Sequence, residues 1–156
     1  MSEERLLTEA REIADLLISS SEHDRNLFAQ ISGELGVPVP VARALCAMEG
    51  TAPMSELAGK LHCDKSYVTA LADQLESLEL VHRVPGPDRR VKMLELTSQG
   101  QSLRQLLESR IVEVSPAMNH LSGEEREVFR KLLIKVSPSQ GNSCGPSSDW
   151  DSRGSK

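Results

Sequence analysis

Two neighbouring stretches of this 156-residue sequence hold side chains whose types and spacing suit contact with a polyanion. The first is Lys65, Ser66, Tyr67, Thr69, Ala70, Asp73 and Gln74, which at helical period lie opposite Val68, Leu71 and Leu75. Hydroxyls, an amide and an ammonium on one helix face can hydrogen-bond to base edges and to phosphate oxygens, and the Tyr67 hydroxyl can reach a phosphate beside them. The second stretch is Asp88, Arg89, Arg90 and Lys92, which with Arg83 gives residues 83–92 four cations against one carboxylate. An arginine on a hairpin tip can enter a narrow minor groove while an aspartate holds its neighbour in place. Taken singly, each of these residues is an ordinary solvated position. Their succession along the chain points to double-stranded DNA.

The elements that must position them are legible from apolar periodicity. Leu6, Leu7, Ala10, Ile13, Ala14, Leu17, Leu27, Phe28, Ile31 and Leu35 mark one long amphipathic helix to about Glu34, stopped by Gly36-Val37-Pro38. Val41, Ala44, Leu45 and Met48 pattern a second helix ending near Gly50, and a third follows Pro53 with Leu57, Ala58 and Leu61 inward. After a short break at His62-Cys63, Asp64 is placed to cap a helix over 65–78. The period then changes to alternation, Leu80–Val84 and Val91–Leu96 about Pro85-Gly86-Pro87-Asp88, which predicts a two-stranded hairpin. Thr97 can cap a long helix carrying Leu103, Leu106, Leu107, Ile111 and Val114 that Pro116 ends or kinks. Ser122-Gly123-Glu124-Glu125 reads as a capping box for a last helix with Val128, Phe129, Leu132, Leu133 and Val136. Residues 137–156, rich in Ser, Gly and Pro, are expected to be disordered. The fold class is therefore mainly α with a small β-hairpin wing. Two short helices followed by a basic hairpin make a winged helix-turn-helix, in which the second helix enters the major groove.

Composition narrows the function classes. Aromatics are only 3% of the chain, so the core is built from aliphatic side chains, as in packed helices. The absence of an 18-residue apolar run and the acidic opening predict a cytoplasmic protein with no membrane partner. Cys46, Cys63 and Cys144 have no disulfide or zinc-site spacing. The formal net charge of −5 arises in residues 1–53, with four basic and nine acidic side chains, so the basic hairpin sits on a body whose acidity lies elsewhere. Phosphate-binding glycine loops, nucleophile elbows and paired metal-ligand motifs are missing, so neither an enzyme nor a cofactor or metal is expected.

Residues 55–100, SELAGKLHCDKSYVTALADQLESLELVHRVPGPDRRVKMLELTSQG, resemble the MarR family of transcription regulators, through Asp88-Arg89-Arg90 followed by Leu96-Thr97 and Gly100. The helix order over residues 1–136 is similar too. The resemblance implies a homodimer in which residues 1–36 and 98–136 form intertwined dimerisation helices and 37–97 form the winged helix-turn-helix. It implies that Ser66 and Thr69 read the major groove of a promoter operator and that Arg90 is the wing-tip arginine, oriented by Asp88. The function so implied is a sequence-specific regulator, a repressor, released by a small phenolic or lipophilic ligand or by cysteine oxidation. Two positions depart from the family pattern: Glu79 stands where glycine usually closes the recognition helix, and Ala70 where a basic residue is common.

For the sensing side, His23, Phe28, Arg43 and Met48 lie on helices that could wall a ligand cavity, although each also fits as core or surface. Cys63 is the candidate redox residue, because the following helix dipole and Lys65 could lower its thiol pKa; the alternative is a small buried thiol filling the turn. The competing function is a winged-helix module that binds another protein and not DNA, a reading to which the cluster Arg89, Arg90 and Lys92 is opposed.

Overall fold

The computed structural model describes residues 3–88 and 90–137. Arg89 and the tail from residue 138, with Cys144, lie outside the described residues. Helix α1 spans Glu3–Glu34 and ends where Gly36 takes φ +66 and the Val37 amide donates back to the Ser32 carbonyl at 2.9 Å. Only its last turns are buried, through Ile31 and Ser32. Pro38 then opens α2 (Val39–Ala47).

The structure corrects the sequence reading at the end of α2. The helix stops at Ala47, earlier than the expected Gly50, because Met48 turns extended and drives its side chain into the core, fully buried. The chain then forms a strand the periodicity did not reveal, β1 (Thr51–Pro53), before α3 (Met54–Leu61). The expected two-stranded hairpin, β2 (Val81–Pro85) with β3 (Lys92–Leu96), is thereby a three-stranded antiparallel sheet in the order β1-β3-β2. Thr51, Ala52 and Pro53 pair with Glu95, Leu94 and Met93. Three residues are too few to show alternation, and Pro53 at an edge withholds no ladder hydrogen bond that the sheet needs.

Helix α4 (Lys65–Ser77) buries Val68, Leu71, Ala72 and Leu75 against Val41, Leu45, Leu57, Leu80, Val81 and Leu94 in one core. Each such buried leucine or valine side chain contributes about 1.5–3 kcal/mol. Helix α5 (Ser98–Val114) reaches the same core through Leu107, and Arg110 ties it to α1 by an ion pair to Glu34 at 2.9 Å. Pro116 ends α5 and begins the single turn α6 (Pro116–His120). The capping box at Ser122 and Glu125 starts α7 (Gly123–Val136), which buries none of its side chains within the described chain. Among the described residues, no helix is long and apolar enough to cross a membrane.

The join between α4 and the sheet is only Leu78, Glu79 and Leu80, and it is tightly bonded. Glu79 takes the left-handed conformation at φ 58, which explains why glycine would suit that position. Its carbonyl accepts from the Thr97 hydroxyl at 2.7 Å, and Leu80 O accepts from the Thr97 amide at 3.0 Å. Holding a side chain in this region costs about 1–2 kcal/mol. Glu79→Gly is accordingly expected to raise thermal stability by about 1 kcal/mol, or roughly 2–4 °C in Tm; an unchanged or lowered Tm would show that the turn carries no such strain.

Candidate nucleic-acid interface

The exposed face of α4 is assembled from its first residue. Asp64 caps the helix, accepting from the Tyr67 amide at 2.8 Å and from the Ser66 hydroxyl at 2.6 Å. The Ser66 contact, then the amide of Tyr67, holds the Asp64 carboxyl below its usual range, so it stays ionised at the helix N-terminus. Lys65, Ser66, Tyr67, Thr69, Ala70, Asp73 and Gln74 are all exposed, as their spacing predicted. The Thr69 hydroxyl donates to the Lys65 carbonyl at 2.9 Å, leaving its oxygen lone pairs free to accept from an outside donor.

Arg90 and Lys92 are exposed beyond this helix, at the turn joining β2 to β3. That turn is closed by Val91 N to Asp88 O at 2.9 Å and Gly86 N to Val91 O at 3.2 Å. A β-carbon at Gly86 would meet Val91 O at 2.7 Å, so the turn requires glycine there. Asp88 was expected to orient the Arg90 side chain; its carboxylate instead accepts from the Arg90 backbone amide at 3.1 Å. Asp88 thus shapes the loop and leaves the guanidinium to solvent.

Two further expectations change. Asp73 is not a free group on the reading face, because it and Glu76 accept from opposite nitrogens of Arg83 on β2. The hydrogen bond that Arg83 donates to Asp73 raises the Arg83 pKa above its ordinary value, against the smaller opposing effect of burial. Arg83 therefore does not add to the free charge of the wing. Strand alternation held the signal: Arg83 follows Val81 by two and pairs with buried Leu94, so it points toward the protein and needs carboxylates there. On the other sheet face, His82 Nε2 meets Glu95 Oε2 at 2.9 Å, and the Thr51 hydroxyl donates to Glu95 Oε1 at 3.2 Å.

The second change concerns Cys63. Its thiol pKa is raised, first by burial and then by the adjacent Asp64 carboxylate, with Arg43 opposing. The helix dipole and Lys65 were expected to lower it; the direction found is the opposite, with burial and the negative cap as its causes. Cys46 is pushed up in the same direction by burial. At neutral pH both thiols are expected to alkylate with iodoacetamide more slowly than a free peptide thiol, measured by mass spectrometry; a faster reaction at Cys63 would reinstate the redox reading.

Two cavities flank this unit. The larger, about 640 Å³, is bounded by Leu35, Val37, Leu78, Leu80, Gln99 and Leu103, among others, and so touches the ends of α1 and α4 and the start of α5. The smaller, about 230 Å³, lies between α1 and α5 and includes Phe28. Met48 belongs to the core, and exposed His23 and Arg43 line neither cavity. Among the described residues there is no cluster of three potential metal ligands.

A two-helix unit whose second helix is exposed along a polar face, joined at once to a three-stranded sheet with a cationic turn, defines a winged helix-turn-helix. The family model described as MarR family matches residues 44–92, which run from α2 to the first residue of β3. In solved structures the same fold recurs. A mutant MarR from E. coli complexed with operator DNA aligns over 85% of this chain and 99% of its own, with a TM-score of 0.68 at 22% identity. CouR from Rhodococcus jostii RHA1, bound to p-coumaroyl-CoA, aligns over 81% and 92%, with a TM-score of 0.71 at 22% identity. In sequence, the chain is 32% identical over 89 residues to the "uncharacterized HTH-type transcriptional regulator YsmB" of Bacillus subtilis, which is 56% of this chain. That match spans 61% of the relative's length. From α2 through α4 to the start of β3 the chain is therefore similar to the MarR family.

Proposed function

We propose that this protein is a sequence-specific DNA-binding transcription regulator, a repressor, that acts as a homodimer on a promoter operator in the cytoplasm. The observation that carries the reading is the exposed polar Lys65–Gln74 face of α4, a helix in contact with β2, the strand that leads directly to the exposed Arg90 and Lys92 of the wing. The helix supplies donors and acceptors for the major groove, and the wing supplies guanidinium and ammonium groups for the backbone or minor groove. The activity is read as binding and not catalysis, with no cofactor.

Residues 3–36 and 98–136 are read as the dimerisation helices, since α1 and α7 expose apolar side chains that a second copy would cover. The effector is read as a small phenolic or lipophilic molecule held near α1 and α5, beside the reading unit. The cavities there are lined mainly by leucine, valine and isoleucine, and the raised thiol of Cys63 favours a ligand over an oxidant as the signal.

Arg90→Ala tests the wing. Loss of a specific arginine contact is expected to weaken operator binding by about 1–3 kcal/mol, with the dimer intact. Fluorescence anisotropy on duplex DNA measures it, and an Arg90→Ala protein that binds like its parent would remove the wing from the interface. The alternative, a protein-binding winged helix, predicts binding to its partner that is only weakly salt-sensitive.

A further inference from the structure

The wing and the recognition helix are joined by a contact that sequence periodicity did not reveal. Arg83 stands on β2, two residues beyond buried Val81, and its guanidinium spans Asp73 and Glu76, one turn apart on α4. Asp73 is exposed on the α4 face that carries Thr69, Ala70 and Gln74, and Glu76 lies toward the sheet, partly buried. We propose that Arg83 is a positioning residue, which clamps the wing to the recognition helix and screens Asp73 and Glu76 from the phosphate backbone. The proposal rests on the DNA-binding reading above and adds to it the element that sets the angle between the two reading parts.

Leverage and charge both support this role. The hairpin extends about five residues from Arg83 to Asp88, roughly 16 Å at the rise of a strand. A swing of about 10° at its base would move the tip by roughly 3 Å, enough to lose a groove hydrogen bond. The connection through Leu78, Glu79 and Leu80 fixes the base on one side only, through the bonds from Thr97 to Glu79 O and Leu80 O. The Arg83 bridge supplies a second attachment farther along the strand. Without Arg83, moreover, the carboxylates of Asp73 and Glu76 would face an approaching polyanion with no counter-charge, and like-charge juxtaposition disfavours docking. Arginine suits both tasks because its planar fork can engage two carboxylates at once, whereas a lysine ammonium carries the charge without the fork.

The test compares the full-length parent with Arg83→Ala, Arg83→Lys and Asp73→Asn/Glu76→Gln. Hydrogen exchange of the β2 and β3 amides is read without DNA, and duplex binding by anisotropy. All three variants are expected to exchange their wing amides at least tenfold faster, while amides of Val41–Leu45 in the core stay protected. Arg83→Lys is expected to lose DNA affinity nearly as far as Arg83→Ala, about tenfold, although it keeps the charge. Wing amides that exchange at the parental rate in Arg83→Ala would overturn the clamp. An Arg83→Lys protein that binds DNA like the parent would show that Arg83 acts as a point charge, and would equally overturn it. A parent that binds no duplex overturns the DNA reading and the screening role with it; exchange in the DNA-free proteins separates that outcome from failure of the clamp.

Discussion

Gly100→Ala is expected to destabilise the protein by about 3 kcal/mol, lowering Tm by roughly 10 °C. A β-carbon on Gly100 would stand 2.0 Å from Leu80 O and 2.9 Å from Leu80 C, both backbone atoms that cannot rotate away. The site also anchors two caps. Thr97 Oγ1 accepts from the Gly100 amide at 3.0 Å and donates to Glu79 O at 2.7 Å, so displacing Gly100 loosens the start of α5 and the end of α4 together. A lost cap alone costs about 1 kcal/mol. Thermal unfolding followed by circular dichroism measures the sum. Gly59→Ala is the control: it lies within α3 with nothing inside 4 Å of an added β-carbon, so the same chemical change is expected to stabilise by about 0.5–1 kcal/mol. Equal effects at the two positions would contradict the close approach of α5 to Leu80.

Phe129→Asp/Leu132→Asp is expected to convert the proposed homodimer to monomers. Phe129 is 43% exposed and Leu132 54%, and α7 buries no side chain in its own chain. A 14-residue helix is marginal in water unless an apolar face is packed, so α7 requires a covering surface. Leu6, Ile13, Leu16, Leu17 and Ile18 leave a comparable apolar surface exposed on α1. In a twofold dimer each substitution occurs twice. Losing four buried side chains at no less than about 1.5 kcal/mol each weakens association by roughly 6 kcal/mol, some four orders of magnitude in Kd. Light scattering after size exclusion reads the mass directly. A double variant that stays dimeric would place the interface elsewhere.

What the sequence reveals and what it conceals divide by the range of the interactions involved. The caps at Asp64, Thr97 and Ser122 were legible because each is a bond between a side chain and an amide three residues on. Helix ends at Gly36 and Pro116 were legible because they follow from backbone chemistry at one or two positions. The exposed face of α4 followed from periodicity alone. What escaped was long-range. β1 exists because Glu95, Leu94 and Met93 offer it a partner, about 40 residues along the chain. The partnership of Arg83 with Asp73 and Glu76 depends on how a strand returns across a helix, and it removes one cation from the wing that charge counting credits to it. The helix dipole alone predicts a reactive Cys63, but the thiol responds first to its own burial and then to Asp64 beside it. Glu79 was visible as a departure from family glycine; only the backbone conformation showed what the departure means.

That the α4 face and the wing together read duplex DNA is tested by fluorescence anisotropy of the full chain on duplexes enriched from a random pool, against shuffled controls, across a salt series. Selective binding is expected, with log affinity falling linearly with log salt, the mark of several phosphates neutralised by lysine and arginine. A stable dimer that enriches no sequence and shows no salt-dependent affinity for any duplex would contradict the DNA reading and shift it to a protein-binding winged helix.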